Sequence, residues 1–520
     1  MEIKSICIVG GGSAGWITAL SILKNLPSIQ LTLVESKTIK TVGVGESTQP
    51  GVLRFFNEYL GLKEKDWMKF TDATYKVGGD FRNFNTTSKS DIVYHALTTQ
   101  EEQDDSNVYD WGVKKFAHNP LPNTDYSKTF FATHYMADKN KFDKRCGEDS
   151  TWHAFHFDAS KFGEFAKEKS LKLGMTHIED LVTNVEVDDG IITSVTTQDN
   201  GNIESDFFID CTGFRSALIS DALGSEFIDL TDILPNDRAI ATKIKYNDKE
   251  KELTPLTSAQ AIENGWCWEI PLWSRIGAGY VYSSSFVDKE TAEKEFKAHL
   301  KGKYGVERTK DLDMLHLKMR IGYQETPWKG NCLAVGLSSG FVEPLESTGL
   351  SFVIESLSKF IDYMNDQDGN INNLTRERFN RNSIAAFKEV VNFITLHYLN
   401  TKREDTPYWK HIKNNITPTK ELLDYIHKLE SKWIWDYDES EVFFNATNLK
   451  QIVIGFNILN MENNILLNRT TLTEECLVKR KEEIEYTLSM LESTKNKIIN
   501  EVDLMGNHHS VLKETIHHHN

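Results

Sequence analysis

At 520 residues the chain is long enough for two or three domains and a large core. Hydrophobic residues at 39% and charged residues at 26% are the balance of an ordinary globular protein, and the formal net charge of -17 speaks against duplex nucleic acid or an anionic membrane as partner. No apolar run reaches the ~18 residues of a membrane span, and no signal peptide precedes the first strand, so a cytoplasmic protein is expected.

Ile3 to Val9 reads as a buried parallel-type strand, and Gly10-Gly11-Gly12-Ser13-Ala14-Gly15 follows it directly. Helical spacing continues over Trp16 to Lys24, and Ile29 to Val34 supplies a second strand. Glu35 closes that strand about 20 residues after the last glycine, where an acid that binds a ribose hydroxyl belongs. Strand, glycine fingerprint, helix, strand and acid together indicate a dinucleotide, FAD or NAD. A glycine-spaced loop, Thr41 to Pro50, precedes a helix over Leu53–Leu60. Lys76 then stands in a largely uncharged run, although most lysines are simply solvated. Residues 85–150 are polar and poorly periodic and read as surface loops. Lys161–Leu173 reads as an amphipathic helix, and Ile178–Asp206 as a β-meander with turns at Asp189-Gly190 and Asn200-Gly201.

Phe207 to Ser216 is a second nucleotide-type segment, a strand running into a small-residue turn. Its return so late in the chain fits a two-part FAD domain better than a compact NAD sheet. Strand-like segments follow at 239–246, 265–272 and 277–284, and the paired Trp266 and Trp268 are compatible with plain core. Cys332 to Val335 is again a short buried strand, and the turn after it carries Gly336, Gly340 and Gly349 ahead of a helix over Phe352–Ile361. Strand, glycine turn and helix N-terminus form an anion-binding geometry. Into it the sequence sets Glu346 beside Ser347 and Thr348, hydroxyls that N-capping would also explain. From about 370 onward glycine is scarce and long helical patterns take over at 378–396, 420–430, 449–459 and 474–501. The six cysteines, at 7, 146, 211, 267, 332 and 476, lack metal-ligand spacing and are expected as buried thiols, so no metal site is expected. The histidine-rich tail, 508–519, reads as a disordered end.

Several stretches resemble the flavin-dependent tryptophan halogenases. They are the fingerprint with Gly15-Trp16, Gly43-Val44-Gly45-Glu46-Ser47-Thr48, Tyr75-Lys76-Val77-Gly78, His156-Phe157-Asp158-Ala159 and Asp210-Cys211-Thr212-Gly213-Phe214-Arg215. The resemblance continues through Trp266-x-Trp268-x-Ile270-Pro271, the turn Gly336 to Gly349, Leu396-His397-Tyr398 and Asp405-Thr406-Pro407-Tyr408-Trp409. It covers about residues 1–410.

The fold it implies is α/β: a two-part Rossmann-type FAD domain over 1–370, with an inserted substrate sheet at about 75–205, and a helical substrate-covering domain over 371–520. FAD would be held by Gly10, Gly12, Ser13, Ala14, Gly15, Glu35, Val44, Gly45, Val185, Gly336, Leu337 and Leu350, and a halide by Thr348 and Gly349. Reduced FAD and O2 would give a flavin hydroperoxide, which the halide attacks to form hypohalous acid. The oxidant would pass a wall of Trp266, Trp268, Ile270 and Pro271 to Lys76, with Glu346 stabilising the arenium intermediate and Ser347 positioning lysine or oxidant. A separate NAD(P)H-dependent flavin reductase would supply the reduced cofactor, and a homo-oligomer stays open. Departures fall in the substrate-facing parts. Tyr94-His95-Ala96-Leu97-Thr98-Thr99 replaces the family's H-P-F-G-type loop, and Gln451 to Asn457 lacks an expected tryptophan. The expected substrate is therefore a free electron-rich aromatic compound, with a tryptophan-specific enzyme and an aromatic monooxygenase as the alternatives.

Overall fold

A computed structural model describes residues 2–38, 45–118, 121–143, 152–432, 443–458 and 474–517. Ser5–Val9 is apolar on both faces because it runs through the middle of a sheet covered on both sides. The sheet has six strands in the order Trp328–Lys329, Cys332–Ala334, Phe207–Asp210, Ser5–Val9, Gln30–Glu35, Thr176–Glu179. All neighbours are parallel except the hairpin at the Trp328–Lys329 edge. Val9 pairs with Asp210, and Asp210 with Ala334. Three segments far apart in sequence thus end side by side, and their turns open at one carboxyl edge, where α/β sheets take ligands. The fully buried Asp210 ties two of these turns together: Oδ1 accepts from the Thr212 amide and hydroxyl and from Ser338 Oγ, while Oδ2 accepts from the Leu218 and Ile219 amides. The helices Ser13–Asn25, Ala159–Lys172 and Gly349–Asp366 belong to the same part of the molecule.

A second sheet of seven strands runs Leu315–Lys318, Arg238–Ile244, Ile276–Tyr282, Gly265–Pro271, Leu256–Ile262, Gly78–Arg82, Ile92–Ala96. Only its last two strands fall inside the span 75–205 expected for the insertion. The rest come from 238–318, because Gly78–Arg82 pairs in parallel with Leu256–Ile262, a partner no local pattern announces. Residues 176–204 instead give one strand to the six-stranded sheet and three to a small antiparallel sheet.

The expectation of surface loops over 85–150 is also corrected for the described residues, with 119–120 and 144–150 lying outside them. Gln100–Asp105, Val108–His118, Asp125–Phe130 and Ala132–Asp138 are helices. Their Val108, Trp111, Tyr126 and Phe130, with Phe131 between the last two helices, are buried in one cluster with Tyr94, Ile454 and Leu491. The periodicity is weak because the helices are short and the surface they bury against lies far along the chain. The C-terminal region is helical as expected, with Asn373–Leu399, Pro407–Asn415, Lys420–Lys432, Ala446–Gly455 and Glu474–Asp503. Phe387, Val390, Ile394 and Ile452 from these helices share a core with Phe81, Ala259, Trp266 and Trp268 of the seven-stranded sheet.

Through His517 the tail is not a loose end, and 518–520 lie outside the described residues. Gly506–Asn507 pairs with Lys141–Phe142, and His508–Thr515 is a helix capped by Asn507. His508 and His517 are buried and bond the carbonyls of Leu253 and Ala73. Cys7, Cys211, Cys267 and Cys332 are free and buried. Cys146 lies outside the described residues, as does the side chain of Cys476. Among the described residues no helix is long and apolar enough to cross a membrane.

Candidate active site

Lys76 ends the strand Thr74–Lys76, which pairs with Ala154–Phe157. Val77 donates to Pro255 O, and the chain crosses there into the seven-stranded sheet. Lys76 therefore sits at a junction between sheets and is only 4% exposed, not a solvated surface lysine. Its Nζ donates to Thr48 O at 2.9 Å and to Ser347 Oγ at 3.2 Å. Burial drives the amine down from 10.5 to about 8, against the opposing charge of Glu346.

Glu346 is clamped by two histidines that no spacing in the sequence joined to it. His95 Nδ1 lies 3.0 Å from Oε2, and His397 Nε2 lies 2.7 Å from Oε1. Burial alone would raise this carboxyl, but His95 and His397 hold it down at about 2. Gln49 Nε2 donates to the Glu346 carbonyl. A narrow cavity of about 10 Å³ joins these groups, with Lys76, His95, Glu346 and Ser347 among its lining and Phe81 and Leu97 as apolar wall.

N-capping does not account for the two hydroxyls of the turn. Ser347 holds a left-handed backbone, φ +62°, which costs a serine ~1–3 kcal/mol, and its Oγ bonds Lys76. Thr348 occupies the N-cap position of Gly349–Asp366 without a side-chain cap bond. Its Oγ1 is buried with no partner among the described residues.

Trp266, Trp268 and Ile270 are buried on the strand Gly265–Pro271, with the indole centroids 6.4 Å apart. The Trp268 ring lies where a side chain on Gly279 would have to go, 2.0 Å from its Cβ. Trp266 Nε1 donates to Glu343 Oε2, which also accepts from Asn236 Nδ2 and Tyr398 OH. Burial raises the Glu343 carboxyl. Pro271 O accepts from Thr74 Oγ1.

At the carboxyl edge of the six-stranded sheet the backbone fits a dinucleotide. A Cβ on Gly10 would stand 2.2 Å from Cys211 O, and one on Gly15 1.9 Å from Gly10 O, so both must be glycine for this turn to close. A Cβ on Gly12 would meet nothing within 4 Å, so the chain leaves open space there. Ser13 Oγ donates to Ala159 O. Gly336 approaches Ala14, where a Cβ would come within 2.9 Å of the alanine Cβ, bringing the first and last segments together. Leu337 beside it is exposed, and Leu350 is half-buried against the core. Glu35 is oriented by Trp16 Nε1, Lys167 Nζ and His177 Nε2. Gly45 has φ +95° and packs against Leu272. Val44 lies outside the described residues, and Val185 is half-buried on the small antiparallel sheet. The glycine cradle, the open face at Gly12 and the oriented acid fit a dinucleotide.

The tryptophan halogenase profile matches residues 5–471. The chain belongs to the tryptophan halogenase family. It is 35% identical over 466 residues to the tryptophan 6-halogenase SttH of Streptomyces toxytricini, covering 84% of this chain and 85% of that one. To the tryptophan 7-halogenase RebH of Lentzea aerocolonigenes it is 36% identical over 428 residues, with 79% and 78% covered. Among solved structures, apo VirX1 matches at 30% identity with a TM-score of 0.86, over 99% of this chain and 100% of that one. Xcc4156, a flavin-dependent halogenase from Xanthomonas campestris, matches at 26% identity with a TM-score of 0.86, over 99% of both chains. The protein is thus a flavin-dependent halogenase, an oxidoreductase acting on aromatic substrates.

Nothing in the halogenase's sequence marks His95, His397, Gln49 and Glu343 as partners of the site. A histidine in an apolar strand and another in a long amphipathic helix look like satisfied core residues; only their convergence on one carboxylate marks them. The segments 94–97 and 449–455 do meet, because both backbone groups of Ala96 bond the Gln451 amide.

Proposed function

We propose that this halogenase halogenates free, electron-rich aromatic or heteroaromatic compounds in the cavity between Lys76 and Glu346. The observation that carries the reading is a buried amine and a buried carboxylate facing one enclosed space, each held by its own hydrogen-bond set. Reduced FAD, when bound, supplies with O2 and a halide the hypohalous acid that is consumed here. The glycine cradle, Glu35, Gly336 and Leu350 would hold the cofactor, and Thr348 and Gly349 the halide, whose charge suits a glycine turn at a helix N-terminus. Trp266, Trp268, Ile270 and Pro271 wall the substrate off from it.

Two of the three Lys76 N–H donors are taken by Thr48 and Ser347, which leaves one for the oxidant's oxygen. The ring carbon takes the halogen, and the departing hydroxide takes a proton from Lys76 to leave as water. The arenium C–H proton passes to Glu346, which stabilises the cation by its charge and returns the proton to Lys76. A neutral lysine forming a haloamine is the other route, and an amine at about 8 permits both. A separate NAD(P)H-dependent flavin reductase would supply the reduced FAD.

The broad scope is supported by Gln451, whose amide is spent on Ala96 and cannot read an amino acid's charged groups. A site that buries a ring by area alone discriminates weakly, ~1–3 kcal/mol per methylene.

The test uses Lys76→Ala with reduced FAD, each halide and an aromatic panel read by mass spectrometry. Loss of halogenated product with retained halide-dependent hypohalous acid formation is expected, and near-normal yield would overturn the reading. In the wild type, several phenols, anilines and indoles should react within about tenfold, ~1.4 kcal/mol. A thousandfold preference for free tryptophan at one ring position would instead establish a tryptophan-specific enzyme.

A further inference from the structure

The hydrogen-bond partners of His95 and His397 fix a proton inventory around Glu346. Asn448 Oδ1 accepts from the Asn445 amide, so its Nδ2 faces His95 Nε2, 2.9 Å away. That nitrogen therefore carries a lone pair, and the single proton of His95 lies on Nδ1, donated to Glu346. His397 is bonded differently. Its Nδ1 faces the Phe393 carbonyl at 3.0 Å and must bear hydrogen, while its Nε2 faces Glu346 Oε1 at 2.7 Å. Both ring nitrogens point at acceptors, so the short contact needs a second proton between imidazole and carboxylate. His397 is fully buried and its ring is packed edge-on to Phe81.

We propose that His397 is a positioning residue of the halogenation step: the proton it shares with Glu346 sets how much negative charge this carboxylate presents to Lys76. The inference rests on the assignment of Lys76 and Glu346 to the halogenation site. One histidine is pinned neutral by an asparagine, and the other holds a proton that partly cancels the carboxylate. The lysine amine is thereby left less stabilised as ammonium than a bare carboxylate would make it, so it can give up a proton to departing hydroxide and recover it. The other titratable groups that face this cluster among the described residues are Asp80, which lines the same cavity and pairs with Arg82, His156, lowered by burial and by Lys76, and Glu343, which lies within electrostatic reach of His397.

Two measurements test it. In unliganded wild-type protein, ¹⁵N NMR of labelled histidine should show His397 with both nitrogens in hydrogen-bonded, proton-sharing states at neutral pH, and His95 with one bare nitrogen. A His397 Nε2 resonance typical of a free lone pair would overturn the proposal, and this holds even if no variant folds. In His397→Gln a neutral donor replaces the shared proton, so Glu346 acts on Lys76 at full charge. The alkaline limb of the halogenation profile, and the Lys76 side-chain ¹³C titration in the unliganded protein, should both move up by about one pH unit. A drop in rate with both titrations unmoved would mean a merely structural role and would overturn the proposal. Should Lys76→Ala keep its activity, the underlying site assignment fails instead, whatever His397→Gln does.

Discussion

Replacing Lys76 by methionine should stabilise the folded protein at neutral pH. The amine falls from 10.5 in the unfolded chain to about 8 when folded. Between those values the folded state binds fewer protons than the unfolded one, so stability rises with pH across that window. Below it the buried ammonium carries its full penalty, which a shift of this size puts at about 3 kcal/mol. Methionine fills a similar volume without the charge. Against the gain stand Thr48 O and Ser347 Oγ, which lose their donor at a cost of ~1 kcal/mol each, leaving a net gain of ~1 kcal/mol at pH 7. Glu346 keeps both histidines, which are the groups that hold it ionised. Thermal unfolding of wild type and Lys76→Met at pH 7 and above pH 10 provides the assay. The variant should melt higher at pH 7 and lose that advantage at the alkaline end. A variant that melts lower at pH 7, or gains equally at both, would refute the idea that this lysine is held at a cost to stability.

Two further outcomes follow from other parts of the structure. Gly12→Val should leave the melting temperature unchanged, since a Cβ there meets no protein atom within 4 Å, yet lower FAD affinity at least a hundredfold, ~2.7 kcal/mol. Flavin fluorescence titration showing wild-type affinity would remove the fingerprint from the cofactor site. The C-terminal helix should loosen in acid, because burial pushes His508 and His517 down to about 4. Their contribution is complete above the ordinary histidine range and is lost as pH falls from 6.5 through about 4. Hydrogen exchange over 506–517 should speed up, relative to the rest of the chain, between pH 7 and pH 5; equal protection at both would show that the two histidines are not what dock the helix.

The sequence by itself determined the nucleotide half of this protein. Strand, glycine turn, helix and acid over 5–35 are local: each residue's conformation is dictated by its neighbours, and a glycine such as Gly10, whose Cβ would strike Cys211 O, is marked by the absence of a side chain. The same holds for the short buried strands at 207–210 and 332–334 and for the long helices after 373, whose periodicity is strong enough to read directly. Only the tertiary structure decided the second sheet, since Gly78–Arg82 pairs with Leu256–Ile262 across a separation that leaves no local trace. It also decided the helices of 100–138, which bury their aromatic residues against Ile454 and Leu491 rather than against each other alone. The site divides in the same way. Glu346, Ser347 and Thr348 stand out in the sequence because they share a turn, whereas His95 and His397 become its partners through the meeting of an edge strand and a distant helix. Protonation follows contact: what charge Lys76 and Glu346 carry depends on burial and on groups up to hundreds of residues away, and those distances exist only in the folded chain.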